Sequence, residues 1–313
     1  MTPKVFDRIK RLEENIHQVF YGKPEVVKKL LVALFSAGHV LIEDVPGVGK
    51  TLLARALARS LRCSFQRIQF TADLLPSDVI GVSVYDQEER DFVFKPGPIF
   101  SNVVLADEIN RTTPRTQSSL LEGMNEYQVS VDGQVHPLPR PFLVLATQNP
   151  HEFEGTYPLP ESELDRFFLH LSIGYPPPDD ELRILQDYIT MDSLETIKAV
   201  ASGEEVLEIQ KLAASVKVED SVAQYVLHLV ERTREAPEID VGISPRGGLA
   251  LYRGAQSLAM IEGRDYVTPD DVKTICPSVF LHRLICRGNH DRSADSPAER
   301  ILREILDTTP VPL

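Results

Sequence analysis

The stretch Leu41-Ile42-Glu43-Asp44-Val45-Pro46-Gly47-Val48-Gly49-Lys50-Thr51 constrains this chain more than any other. The short apolar run Val40 to Ile42 predicts a buried strand. A Gly/Pro-rich turn follows it, and Thr51 to Ala58 predicts a helix. Strand, glycine loop, Gly-Lys-Thr and helix make the layout of a phosphate-binding loop. Gly47 and Gly49 permit backbone turns that side chains forbid, so several N–H groups can face one anion. The N-terminus of the following helix adds its dipole. The candidate phosphate-binding set is therefore Asp44, Val45, Pro46, Gly47, Val48, Gly49, Lys50, Thr51 and Leu52. In such loops the lysine, here Lys50, reaches the β- and γ-phosphates, and the hydroxyl, here Thr51, holds Mg²⁺.

One position departs from the usual pattern G-x-x-x-x-G-K-[ST]. Asp44 stands where the first glycine is expected. It can enter a turn, but its carboxylate must point away from the phosphates.

Ahead of the loop, Phe6, Ile9, Leu12, Ile16 and Val19 recur at helical spacing. Pro24 suits the first turn of a second helix that Gly38 ends. Phe65 to Phe70 predicts a strand. Residues 71–100 are irregular, with β-type runs around a polar, acidic turn that predict a hairpin-bearing insertion. Val103 to Ala106 predicts a second buried strand, ending in Asp107-Glu108. A helix opens at Thr113-Pro114. Asp132-Gly133 between Gln128–Val131 and Gln134–His136 predicts a hairpin with a tight primed turn. Phe142 to Ala146 and Phe167 to Ile173 predict further strands. Continuous apolar strands alternating with helices imply a parallel sheet covered on both faces.

The segment Tyr175-Pro176-Pro177-Pro178-Asp179-Asp180 marks the clearest boundary, and everything after it reads as helical. The fold class expected is α/β, with a parallel sheet between helices in residues 1–175 and a smaller all-α unit in residues 176–313.

Composition narrows the function classes. Of 313 residues, 42% are apolar, enough for a sizeable core. The net charge of −13 argues against general nucleic-acid binding, which needs a basic face. Cys63, Cys276 and Cys286 form no C-x-x-C, so buried free thiols in a reducing compartment are expected and no disulfide framework is implied. Residues 1–8 lack the apolar stretch of a signal peptide. The longest apolar run, Leu30 to Phe35, is too short to span a bilayer. A cytoplasmic protein without membrane insertion is expected.

Asp107 and Glu108 end an apolar strand, where ligands bind in open α/β sheets. Such an acid pair fits Mg²⁺ ligation by Asp107 and activation of a water by Glu108. Asn149 also ends a strand and can orient that water. Arg166 precedes a strand. Arg246 lies in the first turn of a helix, where its charge opposes the helix dipole, so a role outside the helix is expected.

Together these motifs resemble the MoxR family of AAA+ ATPases. The resemblance rests on residues 41–51 and on Asp107-Glu108-Ile109-Asn110-Arg111 with Thr116 to Glu122. It continues through Ala146-Thr147-Gln148-Asn149-Pro150, Glu154 to Glu161, Leu164-Asp165-Arg166-Phe167 and Ser244-Pro245-Arg246. It implies a P-loop AAA+ core followed by a helical lid, with ATP as substrate and Mg²⁺ as cofactor. Lys50 and Thr51 match Walker A; Asp107 and Glu108 match Walker B. Asn149 matches the first sensor, Arg246 the second, and Arg166 the finger that reaches a neighbouring subunit's nucleotide. Phe20, Tyr21 and Gly22 resemble the segment that contacts adenine, although Lys23 stands where Gln is frequent. Residues near 82–94 match the helix-2 insertion and 128–140 the hairpin before the first sensor. Arg111 and Arg115 remain alternative fingers.

The function the resemblance implies is ATP hydrolysis in a homo-oligomeric ring, with a hexamer the expected form. That ring would drive chaperone-like remodelling or maturation of partner proteins, with von Willebrand factor A domain proteins as expected partners. Three other readings compete, of which an unrelated kinase-like P-loop enzyme gives no reason for the helical second half. A nucleic-acid motor of the related helicase group lacks a basic–aromatic channel here. A scaffold that binds ATP without turnover would not need Glu108, Asn149 and Arg166.

Overall fold

The computed structural model describes residues 3–88, 90–149, 155–187, 191–287 and 296–312. Pro150 and Glu154 of the motifs above lie outside the described residues.

The chain opens with α1 (Pro3–His17) and α2 (Pro24–Phe35), whose apolar stripes are buried. Pro24 does start α2, but the left-handed residue after its C-terminus is Ala37, with φ 52°, rather than Gly38. Gly38 is required for a different reason: a Cβ there would lie 2.3 Å from the Phe168 side chain. Then come β1 (Val40–Glu43), the glycine loop and α3 (Lys50–Ser60), followed by β2 (Phe65–Gln69). Residues 71–100 hold a short helix, α4 (Pro76–Ile80), and the expected hairpin of β3 (Gly81–Asp86) and β4 (Asp91–Pro96). Next are β5 (Val103–Asp107), α5 (Pro114–Glu126) and a second hairpin, β6 (Gln128–Val131) with β7 (Gln134–Pro137). Asp132 and Gly133 both have positive φ, as a primed turn demands. The strand β8 (Leu143–Gln148), one turn of α6 (Glu161–Leu164) and β9 (Leu169–Leu171) complete this part.

Five of these strands form a parallel sheet in the order β2-β5-β8-β1-β9. Alternation along each strand divides the packing. Leu105, Leu143, Leu145, Val40 and Ile42 face one core, while Val104, Ala106, Val144, Ala146 and Leu41 face the other. The second core is closed by α5, with Leu120, Leu121 and Met124.

The chain continues through α7 (Pro178–Asp187), α8 (Gly203–Ala214) and α9 (Asp220–Glu235). It then forms β10 (Ile239–Val241), α10 (Pro245–Ile261), α11 (Pro269–Phe280), β11 (Ile285–Cys286) and α12 (Pro297–Thr308). The expectation of a purely helical second half is corrected by β10 and β11, which pair antiparallel. Segments of three and two residues carry too little alternation to be read as strands. The first core does not stop at the sheet: through Leu30, Leu34 and Ile16 it runs without a break to Leu251, Val272 and Leu302 of the helical half.

Candidate active site

In a parallel sheet all strand C-termini share one edge. The glycine loop leaves that carboxyl edge from β1, which lies between β8 and β9. Gly47 (φ 87°) and Gly49 (φ 92°) are both left-handed, and Lys50 is the first residue of α3. A Cβ added at Gly47 would meet nothing within 4 Å, so the loop mouth is open. The Phe20 ring lies against Gly49, where an added Cβ would be 3.3 Å from Cε2. This places the 20–22 segment beside the loop. Tyr21 lies under the Arg183 guanidinium, 4.4 Å from its ring centroid, and Gly22 takes φ 70° beside Asp180.

Asp44 is buried, and its carboxylate turns away from the loop mouth. Oδ2 accepts the backbone N–H groups of Ile173 and Gly174, at 2.5 and 2.8 Å, and the Ser172 hydroxyl at 3.3 Å. Oδ1 accepts from Val45 N–H at 3.0 Å. The aspartate thus pins the loop to the end of β9. Lys50 donates from Nζ to the Asp44 carbonyl at 2.7 Å, spanning its own loop. Burial lowers its pKa, opposed by the charges of Asp44, Asp107 and Glu108. Thr51 and Leu52 follow in the first turn of α3, both half-buried.

The acid pair sits at the same edge, at the end of β5. Thr147 binds it together: its hydroxyl donates to Asp107 Oδ1 at 2.6 Å and accepts Glu108 N–H at 2.9 Å. Glu108 takes a left-handed conformation (φ 59°), which turns its side chain out of the strand. Each acid also meets an arginine. Arg67 on β2 donates Nε and Nη2 to Asp107 Oδ2 at 3.0 and 2.6 Å. Arg111 lies 2.9 Å from Glu108 Oε2, which also accepts from Gln69 at 2.9 Å. The sequence reading gives Arg67, Gln69 and Thr147 no role at the site. Their strand register marks them, since β2 aligns Gln69 with Asp107. Asn149 follows the end of β8, buried, next to Gln148 whose carbonyl accepts Asp44 N–H at 3.3 Å.

The remaining arginines divide between the two edges. Arg111 and Arg115 stand near the start of α5, at the carboxyl edge, Arg115 exposed. Arg166 and Arg246 are elsewhere. Arg166 precedes β9 and donates to the Leu121 carbonyl of α5 at 3.2 Å. Arg246 donates to the Asn125 side chain, one turn further along α5, at 2.5 Å. Its charge acts on His39, the residue before β1. Both arginines therefore lie toward the amino edge, with β1 between them and the glycine loop, a span of about 13 Å for four residues. Arg246, which matches the second sensor, is not brought to the glycine loop of its own chain, because α10 begins against the far end of α5.

The donor chemistry fits Mg²⁺ carried by a nucleotide. A hydroxyl (Thr51) and a carboxylate (Asp107) are hard oxygen ligands, and Mg²⁺ ordinarily takes one or two of these plus phosphates and water. No group of three or more His, Cys, Asp and Glu able to hold a metal by itself occurs among the described residues.

Comparison with known proteins agrees with this geometry in class. Residues 39–169 match the sequence model described as the ATPase family associated with various cellular activities (AAA), and residues 231–305 match the AAA lid domain. The chain is 47% identical over 300 residues to YeaC of Bacillus subtilis (strain 168), covering 96% of this chain and 93% of that protein. It is 41% identical over 309 residues to Chaperone MoxR1 of Mycobacterium tuberculosis, covering 95% and 81%. A crystal structure of an ATPase candidate from Cytophaga hutchinsonii superposes with a TM-score of 0.90 at 38% identity, over 99% of this chain and 96% of that one. The fold and the loop define an AAA-type ATPase. Within that class, the chain belongs to the MoxR family of AAA+ ATPases.

Proposed function

We propose that this chain hydrolyses Mg·ATP in sites shared between copies of itself in a ring, and uses the cycle to remodel partner proteins. The observation that carries this reading is the separation of the candidate groups. Loop, acid pair and Asn149 gather at the carboxyl edge, whereas Arg166 and Arg246 share the amino-edge end of α5. A second copy offering its amino edge to this carboxyl edge would complete the site.

In that site Lys50 exchanges its bond to the Asp44 carbonyl for the β- and γ-phosphates. Thr51 and Asp107 would hold Mg²⁺, which would supply neutralisation of the phosphate charge. Glu108 accepts a proton from the attacking water, and Asn149 orients that water. The neighbour's Arg166 and Arg246 stabilise the charge that develops on the γ-phosphate. Phe20, Tyr21 and Gly22 border the base. Arg166 suits the finger role better than Arg111, which is engaged by Glu108 of its own chain. Residues 1–175 and 176–313 are taken as the nucleotide-binding and lid domains, and the two hairpins as the surfaces that push on a partner. Among expected partners, proteins with a von Willebrand factor A domain rest on family resemblance alone.

ATP turnover against protein concentration tests the reading, with Arg166→Ala and Glu108→Gln in parallel. Specific activity should rise with concentration. Both variants should bind nucleotide and turn over poorly, with a finger loss of about 10³–10⁵. Turnover strictly proportional to protein at monomeric concentrations would sink it.

A further inference from the structure

One carboxylate joins the elements that carry both amino-edge arginines. Asp165 immediately precedes Arg166. Its two oxygens each accept from the Ser244 hydroxyl at 3.2 Å, and Oδ1 accepts from Arg283 Nε at 2.8 Å. Ser244 is the N-cap of α10, two residues before Arg246, and its oxygen accepts Gly247 N–H at 3.1 Å. Arg283 comes from the turn after α11, and its side chain is only 3% exposed. Its guanidinium also donates to the carbonyls of Asp165, Phe167, Phe168 and Val279. The residues on both sides of Arg166 are thus stitched to the helical half.

We propose that Asp165, Ser244 and Arg283 form a positioning node that holds Arg166 and Arg246 as one unit, so that both meet a neighbouring copy's nucleotide together. This rests on the shared-site reading above. The two arginines stand on separate elements, α10 and the segment before β9, and make no direct bond to each other in the hydrogen bonds described. Without the node, each element could shift alone. A misplacement of about 1 Å at a reacting centre can cost about 10²-fold in rate. With it, any movement of α10 is transmitted to Arg166 through the Ser244–Asp165 hydrogen bonds, and the Asp165–Arg283 pair ties both to the turn after α11.

Subunit mixing tests the node. Asp165→Ala should turn over ATP roughly 10²-fold more slowly, with unchanged affinity for a fluorescent ADP analogue. Mixed with Glu108→Gln, it should regain activity, because it contributes an intact loop and acid pair while Glu108→Gln contributes intact arginines. The mixture of Arg166→Ala with Glu108→Gln is the reference. If the reference fails to recover, the shared-site reading falls, and this inference with it. If the reference recovers but the Asp165→Ala mixture does not, or if Asp165→Ala alone runs at the parent rate, the node is wrong and the shared site survives. Should Asp165→Ala fail to fold, Ser244→Ala deletes only the hydroxyl and enters the same assays. There a loss of roughly tenfold with recovery on mixing is expected, and the parent rate would overturn the node.

Discussion

Gly174 donates its backbone N–H to the Asp44 carboxylate at 2.8 Å, and the same oxygen takes the N–H of buried Ile173. Two backbone donors at the end of β9 thus depend on one side chain of the phosphate loop. Asp44→Gly would restore the usual loop pattern, yet it should destabilise the protein. Leaving such donors without a charged acceptor costs about 2–3 kcal/mol. Asp44→Asn keeps an acceptor oxygen and should lose less. Nucleotide affinity should change little in either, because the carboxylate faces away from the loop mouth. Urea unfolding of the three proteins checks this; an Asp44→Gly protein as stable as the parent would show that water replaces the tie.

Arg67 sets a second expectation. Its guanidinium contacts the Asp107 oxygen that is not bound by Thr147. A cation there competes with Mg²⁺ for the carboxylate. Arg67→Gln should therefore tighten the Mg²⁺ dependence of nucleotide binding. Because Arg67 is 43% exposed, solvent screening limits the effect to about 1 kcal/mol, or roughly five-fold. Titration of Mg²⁺ against a fluorescent nucleotide reads it directly. Weaker Mg²⁺ binding in the variant would instead make Arg67 an aid that orients Asp107.

The position of Arg246 separates two accounts of the helical half. Were it a ligand of its own chain's phosphates, Arg246→Ala would weaken nucleotide binding by isolated copies. With Arg246 held at Asn125, near the amino edge, the variant should bind nucleotide normally when dilute and lose turnover only in the assembled state. Binding measured well below the assembly concentration, beside turnover measured above it, distinguishes these outcomes.

The glycine loop, the acid pair and the four buried strands β1, β5, β8 and β9 were legible because each rests on local chemistry: apolar runs, glycines at forced turns, acids at strand ends. The reading Phe167 to Ile173 overruns β9 at both ends: Phe167 and Phe168 are buried but precede the strand, and the N–H of Ile173 bonds the Asp44 side chain. Arg67, Thr147, Asp165 and Arg283 were not legible. Their partners lie 40 to 118 residues away in sequence, and no spacing rule reports a bond made only when strands align or α11 docks. The two edges of the sheet, which decide what Arg246 can touch, likewise follow from topology and not from motif order.

His39 carries the last prediction. It is buried, and its ring accepts Val144 N–H at Nδ1 (3.0 Å), so Nε2 carries the proton and donates to the Met124 carbonyl (2.9 Å). Tyr127 and Phe142 pack around it. Burial pulls its pKa down to about 4; Met124 opposes this, while Arg246 and Arg140 add to it. The unfolded chain has an ordinary histidine near 6.5, so between about pH 6.5 and 4 the unfolded state binds the proton and the folded state does not. The stabilisation is complete above 6.5 and is lost as pH falls toward 4. From pH 7.5 to 5 that amounts to about 2 kcal/mol. Carboxylates titrate in the same range, so the readout is a difference. His39→Gln can accept from Val144 or donate to Met124 without titrating, and should lose about 2 kcal/mol less than the parent over that interval. Equal losses in the two proteins, by urea unfolding at each pH, would mean that His39 is protonated in the fold or relieved by local opening.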